Sequence, residues 1–323
     1  MVRFGVRISI AFLSLSAMSA CSGAPEVKDR QHADDWRAEV QRIEMGTTAS
    51  EDEPISLLRV KVRQDYLADA LDMPVKIYQV SDYNGIIQAI SSGQIQVATM
   101  GGGSYANVDY QIGELAEPIL VRRDTMGISG YYSTIVVKSE GPYHKIEDLK
   151  GKSLAYVDFN STSGYIYPRW AMRRQGIEPD SYFADAAMAG GHLQSVMALS
   201  NGQFDGTVVS ANGGTPEIGF AGGTLKRLTR RGIIDPEDYR TIWYAGPVPN
   251  SPFVIRTDLP IELRDFIRGA FAAMPYEQPE TFIDLARLPG TDYKAVDRDF
   301  YNDIFDMRRE EIASHRQRAI TGG

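Results

Sequence analysis

An α/β fold built on mostly parallel sheets is what this sequence predicts. Three observations carry the prediction. Short alternating or β-branched runs trade places with helix-period runs along the chain. The turns between them are rich in glycine and hydroxyl side chains, and in such folds ligands bind at strand ends. The 323 residues, 43% hydrophobic and 24% charged, are ordinary globular composition and length enough for two lobes with separate cores.

In chain order, residues 1–20 read as an export signal. Arg3 and Arg7 are its basic start, and 8–20 is an apolar run too short to span a bilayer. Residues 22–38 are polar, charged and proline-containing, and read as a tether. Residues 40–46 alternate as a first strand. A helix is predicted over Pro54–Leu71, with Leu57, Leu58, Val62, Tyr66 and Leu67 at helical spacing. Val75–Val80 alternates as a second strand, followed by a helix over 82–92 that Gly93 ends. Residues 95–98 form a short strand running into Gly101-Gly102-Gly103-Ser104. Those glycines form either a donor nest or a tight strand–helix turn. Residues 133–138 are a β-branched strand, 145–150 a short helix and 154–157 a strand. Residues 191–200 are a helix and 206–209 a strand. The pairs Gly213-Gly214 and Gly222-Gly223 mark loops. Residues 241–244 are a return strand, 259–273 an amphipathic helix, and 277–316 helices broken at Pro289-Gly290.

Charge narrows the function. The net charge is −8, and without the two leader arginines the remainder carries −10. An acidic body argues against nucleic acid and against broad adhesion to anionic membrane, so an anionic ligand would need local donors. The one cysteine, Cys21, excludes an intramolecular disulfide. His32, His144, His192 and His315 are scattered, with no metal-ligand spacing.

One turn stands out as chemistry. Asn160-Ser161-Thr162-Ser163-Gly164 follows a strand and precedes a helical run. A helix start presents backbone N–H groups and partial positive charge, and three hydroxyls add donors. That suits a phosphate-like group. The plainer reading is a Ser/Thr helix cap. Pro168 implies either a kinked helix or a separate short turn before it. Trp36, Trp170 and Trp243 read as packing residues. The pairs Arg122-Arg123, Arg173-Arg174 and Arg230-Arg231 read as solvated faces or helix ends.

Several segments together resemble one family. They are 81–87, 130–137, 146–152, 160–168, Gly191-His192, 201–205 and 247–252. In order and spacing, from about residue 80 to about 263, they are similar to the periplasmic phosphonate-binding proteins of ABC transporters. The resemblance implies a two-lobed type II periplasmic-binding-protein fold, each lobe a mixed, mostly parallel sheet flanked by helices, joined by two hinge strands. Placing the crossings near 132–138 and 241–244 gives a signal peptide over 1–20, a tether over 21–38, a first lobe from 39–132 and 243–323, and a second lobe from 133–242.

The resemblance also implies the ligand clamps Tyr83, Tyr131, Ser161, Thr162, Ser163 and His192. Tyrosine and serine hydroxyls and a histidine N–H would donate to the anion's oxygens. Family members that take 2-aminoethylphosphonate hold its ammonium with acidic residues. Here the corresponding places are Asn212 and Ser251, both neutral, which implies a phosphonate- or phosphite-type ligand without an amine. Met18-Ser19-Ala20-Cys21 resembles a bacterial lipoprotein cleavage site and implies a lipid on Cys21. Met18 stands where leucine is usual, and ordinary signal cleavage is the alternative.

The expectation is an exported, monomeric binding protein handing its ligand to a permease and ATPase. It has no cofactor, no metal and no nucleic-acid partner, and touches the membrane only through a lipid anchor. The alternatives are another anion such as phosphate or a sulfonate, a sensory lobe, or a hydrolase using Ser161 and His192. Against an enzyme, Gly102-Gly103-Ser104-Tyr105-Ala106 falls one glycine short of a nucleophile elbow, and no His-Glu-x-x-His pattern occurs.

Overall fold

Two mixed sheets organise the protein. The computed structural model describes residues 36–48, 54–80, 82–124, 126–279 and 292–321. The export signal, Cys21 and the Pro289-Gly290 break lie outside these residues. The first sheet holds β1 (Ile43–Thr48), β2 (Val75–Val80), β3 (Val97–Thr99), β4 (Ala116–Arg123), β11 (Pro252–Arg256) and β12 (Asp292–Ala295). Its order is β12-β4-β11-β3-β1-β2, parallel from β2 to β3 and antiparallel beyond. The second holds β5 (Gly130–Lys138), β6 (Ser153–Tyr156), β7 (Asp185–Met188), β8 (Gly206–Thr215), β9 (Gly219–Gly223) and β10 (Tyr239–Pro249). Its order is β10-β5-β8-β6-β7, with β9 paired to β8.

Helices cover both sheets, as connections between parallel strands require. The first sheet carries α1 (Trp36–Glu39), α2 (Pro54–Leu71), α3 (Tyr83–Ser91), α4 (Gly102–Ile112) and α9 (Ile261–Glu277). The second carries α5 (Tyr167–Arg174), α6 (Pro179–Tyr182), α7 (His192–Ser200) and α8 (Thr224–Arg230). The C-terminal helix is α10 (Asn302–Thr321). Burial follows the pattern. Val75 and Ile77 are buried on either side of exposed Lys76, and Ile135, Val136 and Val137 in central β5 are wholly buried. α3 starts at a cap, with Asp82 Oδ1 accepting from Gly85 N at 2.7 Å, and buries Ile86, Ile87 and Ile90.

Several expectations need correction. Trp36 is buried against the first sheet's helices, so the tether does not extend to residue 38. β4, β7, β11 and β12 were not expected. β4 carries Pro118, which masks a strand, although the residue pairs with Val254 of β11. β12 lies where only helices were expected in the tail. The glycine pairs after residue 212 are not loops, because Gly222 pairs with Asn212 in the β8–β9 hairpin.

The cores are also not separate. One apolar cluster runs from Ile86 and Tyr105 of the first lobe to Val137, Tyr156 and Ile166 of the second. α10 makes it continuous, contributing Ile304, Phe305 and Met307, with Phe305 against Tyr105 at 5.5 Å between ring centroids. Arg308 of α10 donates to Phe159 O at 2.7 Å and to Asn160 Oδ1 at 2.8 Å. Among the described residues, no helix is long and apolar enough to cross a membrane.

Candidate ligand-binding site

The hydroxyl turn is a separate element. Thr162–Ile166 forms one wide turn, in which Tyr167 N donates to Thr162 O five residues back. α5 begins only at Tyr167, so Pro168 sits in its first turn, where no donor is needed. The chain had to choose between a kinked helix and a separate turn, and takes the separate turn. Gly164 makes it possible, since a Cβ there would lie 2.4 Å from Val157 Cβ.

Each hydroxyl of the turn is buried, and each is used differently. Ser161 Oγ accepts from Gly164 N at 3.1 Å, an N-cap in the ordinary sense. Thr162 Oγ1 accepts from Gly103 N at 2.8 Å, across to the first lobe. Gly103 must be glycine for this approach, since a Cβ would sit 2.5 Å from Ile166 Cδ1 and 2.8 Å from Asn160 O. The Gly101–Gly103 run is therefore a strand–helix turn, and its helix start is capped from the other lobe. The Ser163 and Thr162 side chains lie close to the Tyr131 hydroxyl and act against the effect of burial on its pKa. Burial raises the Tyr131 pKa, so its hydroxyl keeps its proton. Asn160 bridges the lobes beside the turn, donating to Asn84 Oδ1 at 3.0 Å and accepting from Asn107 Nδ2.

These groups open onto a cleft of about 340 Å³ between the lobes. Tyr83, Tyr131, Ser161, Thr162, Ser163 and His192 all line it, and Asn212 and Ser251 line it as well. Tyr83 opens α3, His192 opens α7 and Tyr131 lies at the start of β5. Asn212 lies in β8 and Ser251 in the link between β10 and β11, where it is exposed. The first lobe adds Thr47, Thr48 and Thr99 at the ends of its parallel strands.

Electrostatics favour an anion. Among the described residues, no aspartate or glutamate lines the cleft, while Arg63 and Arg122 do. The expectation for Arg122-Arg123 was a solvated face. Strand alternation instead turns Arg122 into the cleft and gives Arg123 to Asp292, Nε to Oδ1 at 2.8 Å. Arg63, on α2, had no local signal in the sequence.

His192 is held neutral. Burial, and then the charge of Arg227, push its pKa down to about 3. Its Nδ1 is buried with no hydrogen-bond partner among the described residues, and so is Thr99 Oγ1. This does not resemble a nucleophile–base pair. Ser161 Oγ is occupied by Gly164 N, and a base with a pKa near 3 accepts a proton poorly at neutral pH. Among the described residues, no cluster of histidine, cysteine or carboxylate side chains could hold a metal ion.

Comparison with known proteins gives the family and the fold. Residues 45–301 match the family model for the phosphonate periplasmic substrate-binding proteins of ABC transporters. The chain is 28% identical over 207 residues to the phosphate-import protein PhnD of Mycolicibacterium smegmatis. It is 27% identical over 231 residues to the phosphonates-binding periplasmic protein of Escherichia coli. These alignments cover 61% and 70% of this chain, and 61% and 63% of the relatives, less than two thirds of either relative's length. The structure of PhnD1 from Prochlorococcus marinus in complex with methylphosphonate superposes with a TM-score of 0.69 at 15% identity, over 84% of this chain and 98% of that one. The shared fold is that of the type II periplasmic binding proteins.

Proposed function

We propose that this chain, which belongs to the periplasmic phosphonate-binding proteins of ABC transporters, captures a small phosphorus oxyanion without an amino group and delivers it to an ABC importer. The family is one of substrate-binding proteins rather than enzymes. The observation that carries the ligand reading is the lining of the cleft. A buried hydroxyl turn, Tyr131 and a neutral His192 converge there with no carboxylate among them. Hydroxyls and N–H groups in a partly dry site bind an oxyanion through charge-assisted hydrogen bonds. Among the described lining residues, an ammonium would meet two guanidinium groups and no acid. The lobes, 39–132 with 243–323 and 133–242, are the bodies that close on the ligand, with β5 and β10 as the hinge strands. The protein acts as a monomer held to the membrane by a lipid on Cys21.

Calorimetric titration of the full-length chain in mild detergent tests the reading. The ligands are phosphate, phosphite, hypophosphite, methylphosphonate and aminoethylphosphonate. Phosphate belongs in the series because the mycobacterial relative is named for it. Saturable binding of methylphosphonate or phosphite is expected. No binding of any of the five would overturn the proposal.

A further inference from the structure

We propose that Asn160 is a positioning residue for ligand capture. It clasps the hydroxyl turn to the helices of the first sheet, and so sets how long a ligand stays, by one factor whichever oxyanion is bound. This rests on the reading that the lobes close on a ligand at the turn.

Asn160 is 5% exposed and stands directly before Ser161. Its side-chain amide is used at both ends. Nδ2 donates to Asn84 Oδ1 at 3.0 Å. Oδ1 accepts from Asn107 Nδ2, and from Arg308 Nη2 at 2.8 Å. The three partners come from α3, α4 and α10. Asn84 follows the clamp Tyr83 in the first turn of α3. Asn107 lies one turn after Gly103, whose N–H is accepted by Thr162. One amide therefore ties the turn to both helix starts that face it. Asn160, Asn84, Asn107 and Arg308 do not line the cleft, so none of them is a ligand contact.

Arg308 is the second observation. Its Nη1 donates to Phe159 O at 2.7 Å, and its Nε to Asn107 Oδ1 at 3.3 Å. With Asn160 Oδ1, its acceptors are three neutral oxygens, whereas neighbouring Arg309 pairs with Asp306. A charged donor makes a stronger hydrogen bond than a neutral one. Here that strength goes to the amide of Asn160 and to the carbonyl just before it. Arg308, Asn107 and Asn160 close a ring of hydrogen bonds, each polarising the next.

The chemistry of a buried amide gives the consequence. Such a group costs free energy unless it is hydrogen-bonded. All of its side-chain bonds cross from the turn to α3, α4 and α10, so parting of the lobes hands them to water. They favour the closed form alone. A group that favours the closed form without touching the ligand raises every affinity equally. It does so through release, because the ligand enters before the clasp forms. The hydroxyls of the turn act differently, since their bonds depend on the ligand's own oxygens.

The test compares the full-length parent with Asn160→Ala and Asn84→Ala, using phosphate, phosphite and methylphosphonate. Calorimetry reads affinity, and stopped-flow displacement reads release. Asn84 is exposed, so its variant carries the test should Asn160→Ala fail to fold. Thermal melts establish that each variant is folded. For each ligand the parent binds, release is expected to be at least about tenfold faster in Asn160→Ala and about threefold faster in Asn84→Ala, with association little changed. The loss is expected to be the same across ligands within about threefold. Unchanged release in the folded variants, even with a lower melting temperature, would overturn the proposal and leave Asn160 a packing residue. A loss confined to one ligand would also overturn it, because Asn160 would then act on the ligand itself. Failure of the parent to bind any of the three would remove the underlying reading, and this inference with it.

Discussion

Arg169 Nε donates to Glu311 Oε1 at 2.8 Å, with each side chain only 3% exposed. Arg169 lies on α5 just after the hydroxyl turn, and Glu311 on the C-terminal helix. Arg173 Nη1 donates to the other Glu311 oxygen at 2.8 Å, and Tyr165 donates its hydroxyl at 2.9 Å. Arg169 also reaches both oxygens of Asp180 at 2.8 Å. Burial works against the Glu311 charge, but Arg169, Arg173 and Tyr165 outweigh it and hold its pKa below the ordinary value. Removing Glu311 takes a charged partner from both Arg169 and Arg173 and leaves the buried Arg169 with only Asp180. Glu311→Ala is expected to cost about 3–5 kcal/mol in urea unfolding. The folded pKa is the depressed one, so this stabilisation is present above the unfolded value near 4.5 and fades as pH falls through the folded pKa. A loss below about 1 kcal/mol would show that the cluster is structurally idle.

The hydroxyls of the turn are expected to separate on mutation. Ser161→Ala removes a cap and should cost about 0.5–2 kcal/mol of stability. Ser163→Ala removes no cap and should weaken methylphosphonate binding by about 1.5–3 kcal/mol, the scale of one hydrogen bond to a charged group. The triple alanine variant should lose binding, and also stability, because Ser161 and Thr162 hold the N–H groups of Gly164 and Gly103. Calorimetry and urea unfolding on the same samples distinguish the effects. If Ser163→Ala binds like the parent, the turn is a cap and nothing more.

His192 gives a pH signature. Its folded pKa, about 3, lies below the unfolded value of 6.5. Between these values the unfolded chain takes up a proton that the native state resists, so stability falls as pH is lowered from 6.5 toward 3. Above 6.5 the residue contributes no slope. His192→Gln should flatten this part of the stability curve relative to the parent. Parallel curves for the two proteins would contradict the neutral, partly buried imidazole.

What was legible in the sequence was local. Residues 133–138 read as a strand because three adjacent β-branched side chains are buried on both faces of central β5. The turn was legible because its hydroxyls, glycine and flanking periods are contiguous. Arg122 was misread because an Arg-Arg pair looks solvated until strand alternation is known, and Pro118 hid the strand. Arg63 looked like any cation on a helix. Its place at the cleft depends on how α2 lies on the sheet, which no window of neighbouring residues encodes. Asn160 opened the motif, but its role between the lobes appears only once Asn84 and Asn107 are brought to it.

The neutral Asn212 and Ser251, and the lack of a carboxylate among the described lining residues, bear on ligand choice. Aminoethylphosphonate is expected to bind at least about tenfold more weakly than the best amine-free analogue, a gap of about 1.4 kcal/mol. Competition calorimetry reads this directly. Equal or tighter binding of the amine would mean that a carboxylate reaches the ligand from outside the described lining.

Cys21 is tested in cells. A labelled fatty acid should mark the full-length protein, and Cys21→Ser should abolish the mark. Parent protein found unlabelled in the soluble envelope fraction would leave ordinary signal cleavage as the explanation.

The Thr162 oxygen that accepts from Gly103 has a wider consequence. A hydroxyl has a single hydrogen, and here its oxygen already belongs to the opposite lobe. In the proposed complex an anion would take that hydrogen, and the oxygen would become more electron-rich and grip Gly103 N more firmly. Occupancy and lobe registration would then meet at one atom. Loaded and empty proteins would differ less in which surfaces touch than in how stiff the seam between them is. A transporter pressing on both lobes at once would feel that stiffness without touching the ligand.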